Sequence, residues 1–403
     1  MHGPPVKAVL LVIGLMLVAA VGSSKALGGS RFLSVRLLAR TGILFLLLGA
    51  VIGPNGLRLL DPDVLEQLGP IVVLGLGWIG FLYGIHLEYR WLRRFASGLF
   101  LTALGESAFT FLTVLVVFWA LGQGANLPAL LILASAAAGT APAALFVLRS
   151  QLPSRGPAYE LLRFCACLDD LPGLLALGIL FSFSHGKGNG LMAVGWFVLQ
   201  VGVGVIGGVL THWLHELVAG PEGGDPGAFS LAFFGVVGLT SGFASYLGLS
   251  PLFVNVVSGI TFANVSFHSE MVFAGLARRE HTVYVIFLLL AGCYWPFNGF
   301  TAFGMLALYI GARLLGKVAG SYLCANTFLR GPQFNMMSRV PPYFGLGLLP
   351  QGGLAIAMVM SYLWAFRGTA QAWAVNVVHL SVILNELVTP YLLFVILRGI
   401  DEE

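Results

Sequence analysis

The chain has 403 residues, 58% of them hydrophobic and only 9% charged, with a formal net charge of +4. Soluble domains carry roughly 25% charged residues, so this composition excludes a soluble domain and describes a chain dissolved in lipid. So small a positive surplus argues against a nucleic-acid partner, and four scattered cysteines, with Cys165 and Cys167 inside an apolar run, give neither a disulfide framework nor a zinc site.

In chain order, apolar windows long enough to cross a ~30 Å hydrocarbon core fall at roughly 6–23, 35–53, 70–87, 97–120, 127–149, 160–184, 190–216, 228–247, 250–267, 282–297, 299–323, 342–363 and 371–397. The expectation is an all-α polytopic membrane protein of about thirteen transmembrane helices, the first window being a span rather than a signal peptide. The gaps after odd-numbered spans, with the C-terminus, hold fifteen Lys and Arg residues, whereas the opposite side holds four: Lys7, Arg58, Lys187 and Arg367. Positive loops stay in the cytoplasm, which predicts an N-terminus outside and a C-terminus inside. Arg313 and Lys317 remain, both within the eleventh span.

Two spans carry helix breakers at mid-depth. The fifth contains Gly139-Thr140-Ala141-Pro142 and the twelfth Pro350-Gln351-Gly352-Gly353. Proline removes an amide donor and glycine loosens the turn, so backbone groups are freed where lipid cannot satisfy them. A single break of this kind is usually only a kink. Two at matching depth in the two halves point to a transporter's central site.

Each broken span is followed by one with an internal acidic pair, Asp169-Asp170 in the sixth and Asn385-Glu386 in the thirteenth. The chain runs in opposite directions in the two cases, as inverted repeats require. A charge at the bilayer centre costs at least ~2.5–3.5 kcal/mol on insertion scales, so a function has to keep it there. Successive residues of a helix point about 100° apart, so Asp169 and Asp170 cannot both face one ligand. The economical arrangement pairs one of them with a buried cation, for which Arg313 is the well-placed candidate, and turns the other to a cavity, while Lys317, one turn nearer the cytoplasm, is placed to snorkel. A plain structural ion pair would explain one aspartate and leave the other unexplained.

With LDDLPG at 168–173, the two breaks and the buried base in view, the chain resembles the monovalent cation:proton antiporters, in particular the double-aspartate bacterial branch with the NhaA-type fold. Further matching stretches are VIGPNGL at 51–57, GIHLEYR at 84–90, the segment 247–270, ARLLGK at 312–317 and LLPQGGLAIAM at 348–358. The resemblance implies two crossed broken helices in a core domain (approximately 97–184 and 299–397) that slides past a dimerisation scaffold (approximately 6–90 and 190–297) in a homodimer. It also implies Na⁺, or alternatively K⁺, bound at Asp170 in exchange for protons, with Asp169 paired to the base on span eleven and Thr140 at the crossing. No cofactor is expected. The family base is often lysine where Arg313 stands here, relatives often carry an acid where Gln351-Gly352-Gly353 stands, and Glu106 and Glu386 match no family position. The double-aspartate branch is associated with electrogenic exchange, which would make Asp169 the source of a second proton.

His212 and His215 share a face of span seven and read as interfacial residues. An intramembrane aspartyl protease needs acids converging from separate helices, and these two are consecutive. The rivals that survive are a cation channel and a sodium-coupled solute symporter on the same fold; the expectation is a transporter of the plasma or inner membrane and not an enzyme.

Overall fold

The computed structural model describes residues 14, 42–122, 126–141, 157–186, 189–219, 226–266, 282–296, 302–329, 343–366 and 372–401. Its helices are α1 (Ile43–Ile52), α2 (Pro62–Ile85), the single-turn α3 (Tyr89–Leu92), α4 (Ser97–Ala120), α5 (Leu127–Ala138), α6 (Pro157–Leu168) and α7 (Leu171–His185). They continue with α8 (Gly190–Ala219), α9 (Pro226–Tyr246), α10 (Pro251–Val265), α11 (Thr282–Cys293) and α12 (Ala302–Phe328). A 3₁₀ turn (Phe344–Leu348), α13 (Gly353–Ala365) and α14 (Ala372–Asp401) complete the set. Pro62, Pro128, Pro172 and Pro251 each sit in the first turn of a helix, where a missing amide leaves no bond unmade.

Among the described residues, six stretches are long and apolar enough to cross a membrane and six shorter helices are apolar. The expected first span lies outside the described residues apart from Gly14, and so does Pro142. The sixth span differs from expectation in a way that matters. It is not one even helix: α6 ends at Leu168, Asp169 and Asp170 form a turn, and α7 starts at Leu171. Pro172 is the cause, since it has no N–H to offer the Leu168 carbonyl.

Lipid gives helices no hydrophobic reason to associate, so close backbone approach has to hold them. Gly80 and Gly84 of α2 lie on the backbone of Leu252 and Val256 in α10. On the other flank, Gly316 and Gly320 of α12 rest on Thr110 and Glu106 of α4. Between these pairs runs a continuous buried core that includes Leu76, Val114, Leu133, Leu177, Tyr309, Ile356 and Val378. The outer side of α8 exposes Leu191, Val198, Ile206 and Trp213, an apolar exterior suited to lipid.

Candidate ion-exchange site

The site begins where two helices stop short. α5 ends at Ala138 and the chain goes on without helical bonds through Gly139, Thr140 and Ala141; residues 349–352 do the same before α13. The two unwound stretches touch. Ala141 donates its N–H to the Pro350 carbonyl at 2.9 Å, and the Thr140 hydroxyl donates to the Leu348 carbonyl at 2.8 Å. Thr140 and Ala141 thus lie at the contact between the two chain segments.

A helix that ends inside a protein leaves its last carbonyls without partners. Here side chains from other elements take them one by one. Gln351 Nε2 donates to Ala136 O at 2.6 Å, Arg313 Nε to Ala137 O at 3.0 Å, Lys317 Nζ to Ala138 O at 2.5 Å and Arg313 Nη2 to Gly139 O at 2.7 Å. Arg313 Nη1 reaches across to Leu349 O at 2.6 Å, so one guanidinium ties both unwound stretches together.

This corrects the expected pairing of Arg313 with Asp169. Five donors in a flat fork suit carbonyls that diverge from two chain segments, and a cation belongs at the negative C-terminal end of α5. Lys317 takes the aspartate instead. Far from snorkelling, it is fully buried, with Nζ 2.9 Å from Asp169 Oδ2 and 3.1 Å from Glu106 Oε1. Glu106 thus acquires a partner that the sequence did not supply. It accepts a further hydrogen bond from the Thr110 hydroxyl at 3.1 Å.

Asp169 is held on every side. Its Oδ1 accepts the Thr140 N–H at 3.1 Å, its Oδ2 faces Lys317, and the Ser107 hydroxyl donates to its backbone carbonyl. Asp170 is different: 5% exposed, it caps α7 by position without a side-chain hydrogen bond, and no described residue donates to its carboxylate. Gly139 lies directly against it, and a β-carbon there would overlap Asp170 Oδ1. The turn at Asp169–Asp170 is what lets one carboxylate face Lys317 and the other Gly139.

On the far side of the crossing the groups are neutral. Gln351 Nε2 also donates to the Tyr309 hydroxyl at 2.9 Å, and its Oε1 accepts from Ser381 at 2.9 Å and Asn385 at 3.3 Å. Gly352 packs close to the Ala141 methyl, and Gly353 against the Tyr284 ring. Glu386, one residue beyond Asn385, is 1% exposed, and among the described residues neither carboxyl oxygen has a hydrogen-bond partner.

Of the residues singled out from the sequence, Asp169, Thr140, Gly139, Ala141, Pro350 and Gln351 meet at the crossing, Asp170 lies against Gly139, and Glu386 stands apart. Lys317 as the aspartate's partner, Glu106 beside it, and Ser107, Tyr309 and Ser381 were missed. A signal for the first two existed. Thr102, Glu106 and Thr110 recur every four residues on α4, and Arg313, Lys317 and Ser321 do so on α12. Polar stripes on two lipid-spanning helices have to find each other.

The model of the family described as the transmembrane sodium/hydrogen exchanger matches residues 23–399. The solved structure of the sodium proton antiporter MjNhaP1 from Methanocaldococcus jannaschii at pH 8 superposes with a TM-score of 0.67 at 16% identity. The match covers 95% of this chain and 97% of that one, a likeness of fold. No curated protein matches the sequence.

Proposed function

Because the chain belongs to the transmembrane sodium/hydrogen exchanger family, and so trades Na⁺ for protons as an integral protein of the cell membrane, we propose that the exchange takes place at the Asp170 carboxylate. The observation that carries this reading is a charge count. Two buried cations, Arg313 and Lys317, stand among three buried carboxylates, Glu106, Asp169 and Asp170, which leaves one negative charge unmatched. Lys317 and Arg313 together offset two of the three charges, and Asp170 is the carboxylate with no hydrogen-bond donor among the described residues, so we assign the unmatched charge to it. A dry site tolerates such a carboxylate only when a proton or a metal cation neutralises it. One carboxylate cannot hold both at once, and that exclusion is sufficient for antiport.

Oxygens suit a hard cation. The Asp170 carboxylate, Asp169 Oδ1 and the Thr140 hydroxyl are the oxygens that would meet it, with Na⁺ the first candidate and K⁺ the second. The count supports one proton per cation, since either occupant leaves the cluster neutral, against the electrogenic expectation attached to the double-aspartate resemblance. Alternating access would come from the core (approximately 97–184 and 299–397) sliding past the scaffold (approximately 6–90 and 190–297) in a homodimer, with the N-terminus outside. A channel would need a continuous wet path, whereas Asp169, Lys317 and Glu106 are sealed from solvent.

The test is flux in proteoliposomes with an acidic lumen and an internal pH dye, titrated separately with Na⁺, K⁺ and Li⁺. External Na⁺ should drive the lumen alkaline. Sodium entry without proton exit would instead identify a channel.

A further inference from the structure

We infer that Glu106 is a positioning residue: it holds Lys317 in place while a cation engages Asp169, and thereby sets the affinity for that cation. This rests on the exchange site proposed above. An ammonium has three donors, and Lys317 spends them on Asp169 Oδ2 at 2.9 Å, Glu106 Oε1 at 3.1 Å and Ala138 O at 2.5 Å. A cation drawing on the Asp169 carboxylate competes with Lys317 for it. Without a second carboxylate, a displaced Lys317 would be a buried charge facing only carbonyl groups, a costly outcome. Glu106 removes most of that cost, because Lys317 stays in contact with a carboxylate without moving.

The geometry is set by backbone rather than by long side chains. Gly320 of α12 packs against Glu106 and Phe109 of α4, and Gly316 lies on the Thr110 backbone, so the two helices cannot drift apart. The Thr110 hydroxyl, one turn along α4, holds Glu106 Oε1 at 3.1 Å, the same oxygen that faces Lys317. A carboxylate placed only to pack two helices would not need to be aimed in this way. Glu106 is fully buried and, among the described residues, hydrogen-bonds to neither Asp170 nor Thr140, so the bonded route from it to the cation passes through Lys317.

The measurement is calorimetric titration of NaCl into the purified protein at fixed pH and constant ionic strength. Glu106→Gln should weaken Na⁺ binding about tenfold (about 1.4 kcal/mol), because Asp169 becomes the sole carboxylate of Lys317 and gives it up less readily. Glu106→Asp, which keeps the charge, should stay within about threefold of the wild type. With Lys317→Gln already present, adding Glu106→Gln should change the affinity by less than about twofold. The proposal is overturned if Glu106→Gln binds as well as the wild type, if Glu106→Asp is as weak as Glu106→Gln, or if the tenfold loss persists without Lys317. If the Lys317 variants do not yield monodisperse protein, the Gln–Asp comparison at position 106 decides. A wild-type protein that binds no Na⁺ would defeat the exchange site itself, an outcome distinct from wild-type binding that ignores Glu106.

Discussion

The two sides of the helix crossing are built from the same parts and finished differently. On each side an unwound stretch is followed along the chain by an adjacent polar pair, Asp169-Asp170 in the turn between α6 and α7 on one side and Asn385-Glu386 within α14 on the other. On the neutral side Gln351 has two amide hydrogens and two acceptor positions, and all four are used, by Ala136, Tyr309, Ser381 and Asn385. Nothing is left over to bind. On the charged side each Asp169 oxygen has one donor, Thr140 N–H or Lys317, while Asp170 has no donor among the described residues. A closed polar network makes a fixed joint; one open carboxylate beside it makes a place where occupants can change.

That contrast can be broken by substitution. Lys317→Met is expected to have the largest effect, because it leaves Asp169 and Glu106 as buried carboxylates without a cation. Such a loss costs about 3–5 kcal/mol, read as a lower unfolding midpoint in detergent. Adding Asp169→Asn should restore part of it, whereas the same change added to Arg313→Met should not; restoration by the arginine variant would reinstate the pairing first expected from the sequence. Gln351→Ala comes next. It orphans several buried groups and should lower stability by up to about 3 kcal/mol, yet leave the cation dependence of antiport in place. If antiport vanishes while the protein stays folded, the neutral side is part of the exchange machinery.

Gly139→Ala acts on the charged side. The added methyl group collides with the Asp170 carboxylate, and overpacking of this kind costs about 1–3 kcal/mol. The loss should appear as weaker Na⁺ activation of antiport rather than as unfolding, and an unchanged Na⁺ dependence would mean that the carboxylate simply swings clear. The smallest effect is expected at Glu386. Replacing this unpartnered acid by methionine, Glu386→Met, removes a buried polar group at nearly constant volume and should raise stability by about 1 kcal/mol with antiport retained. Loss of antiport there would give the second half an exchanging carboxylate of its own.

Charge in lipid is what made the site legible from sequence. Asp169, Asp170, Arg313 and Lys317 stand out because each is costly in an apolar span, and the two breaks because glycine and proline are clustered together in mid-span. Which cation meets which acid was not legible. Arg313 and Lys317 sit one turn apart on the same face of α12, so spacing alone cannot rank them, and the answer depends on how far α5 stops short of each. Glu106 was visible as an acid but not as a partner, because its role follows from the close seating of α12 on α4 at Gly316 and Gly320. The kink that separates Asp169 from Asp170 did have a signal in Pro172, which the reading of one regular helix overlooked.

The central claim is that the open carboxylate at Asp170 is the one that exchanges proton for cation. Asp170→Asn keeps the shape of the side chain and abolishes its ability to trade a proton, so the direct measurement is Na⁺-driven proton efflux from proteoliposomes containing wild-type or Asp170→Asn protein, each shown to be monodisperse beforehand. Efflux from the variant should be indistinguishable from that of protein-free liposomes, while the wild type drives the lumen alkaline on adding Na⁺. Near wild-type efflux from well-folded Asp170→Asn protein would contradict the claim and place the exchange at another carboxylate.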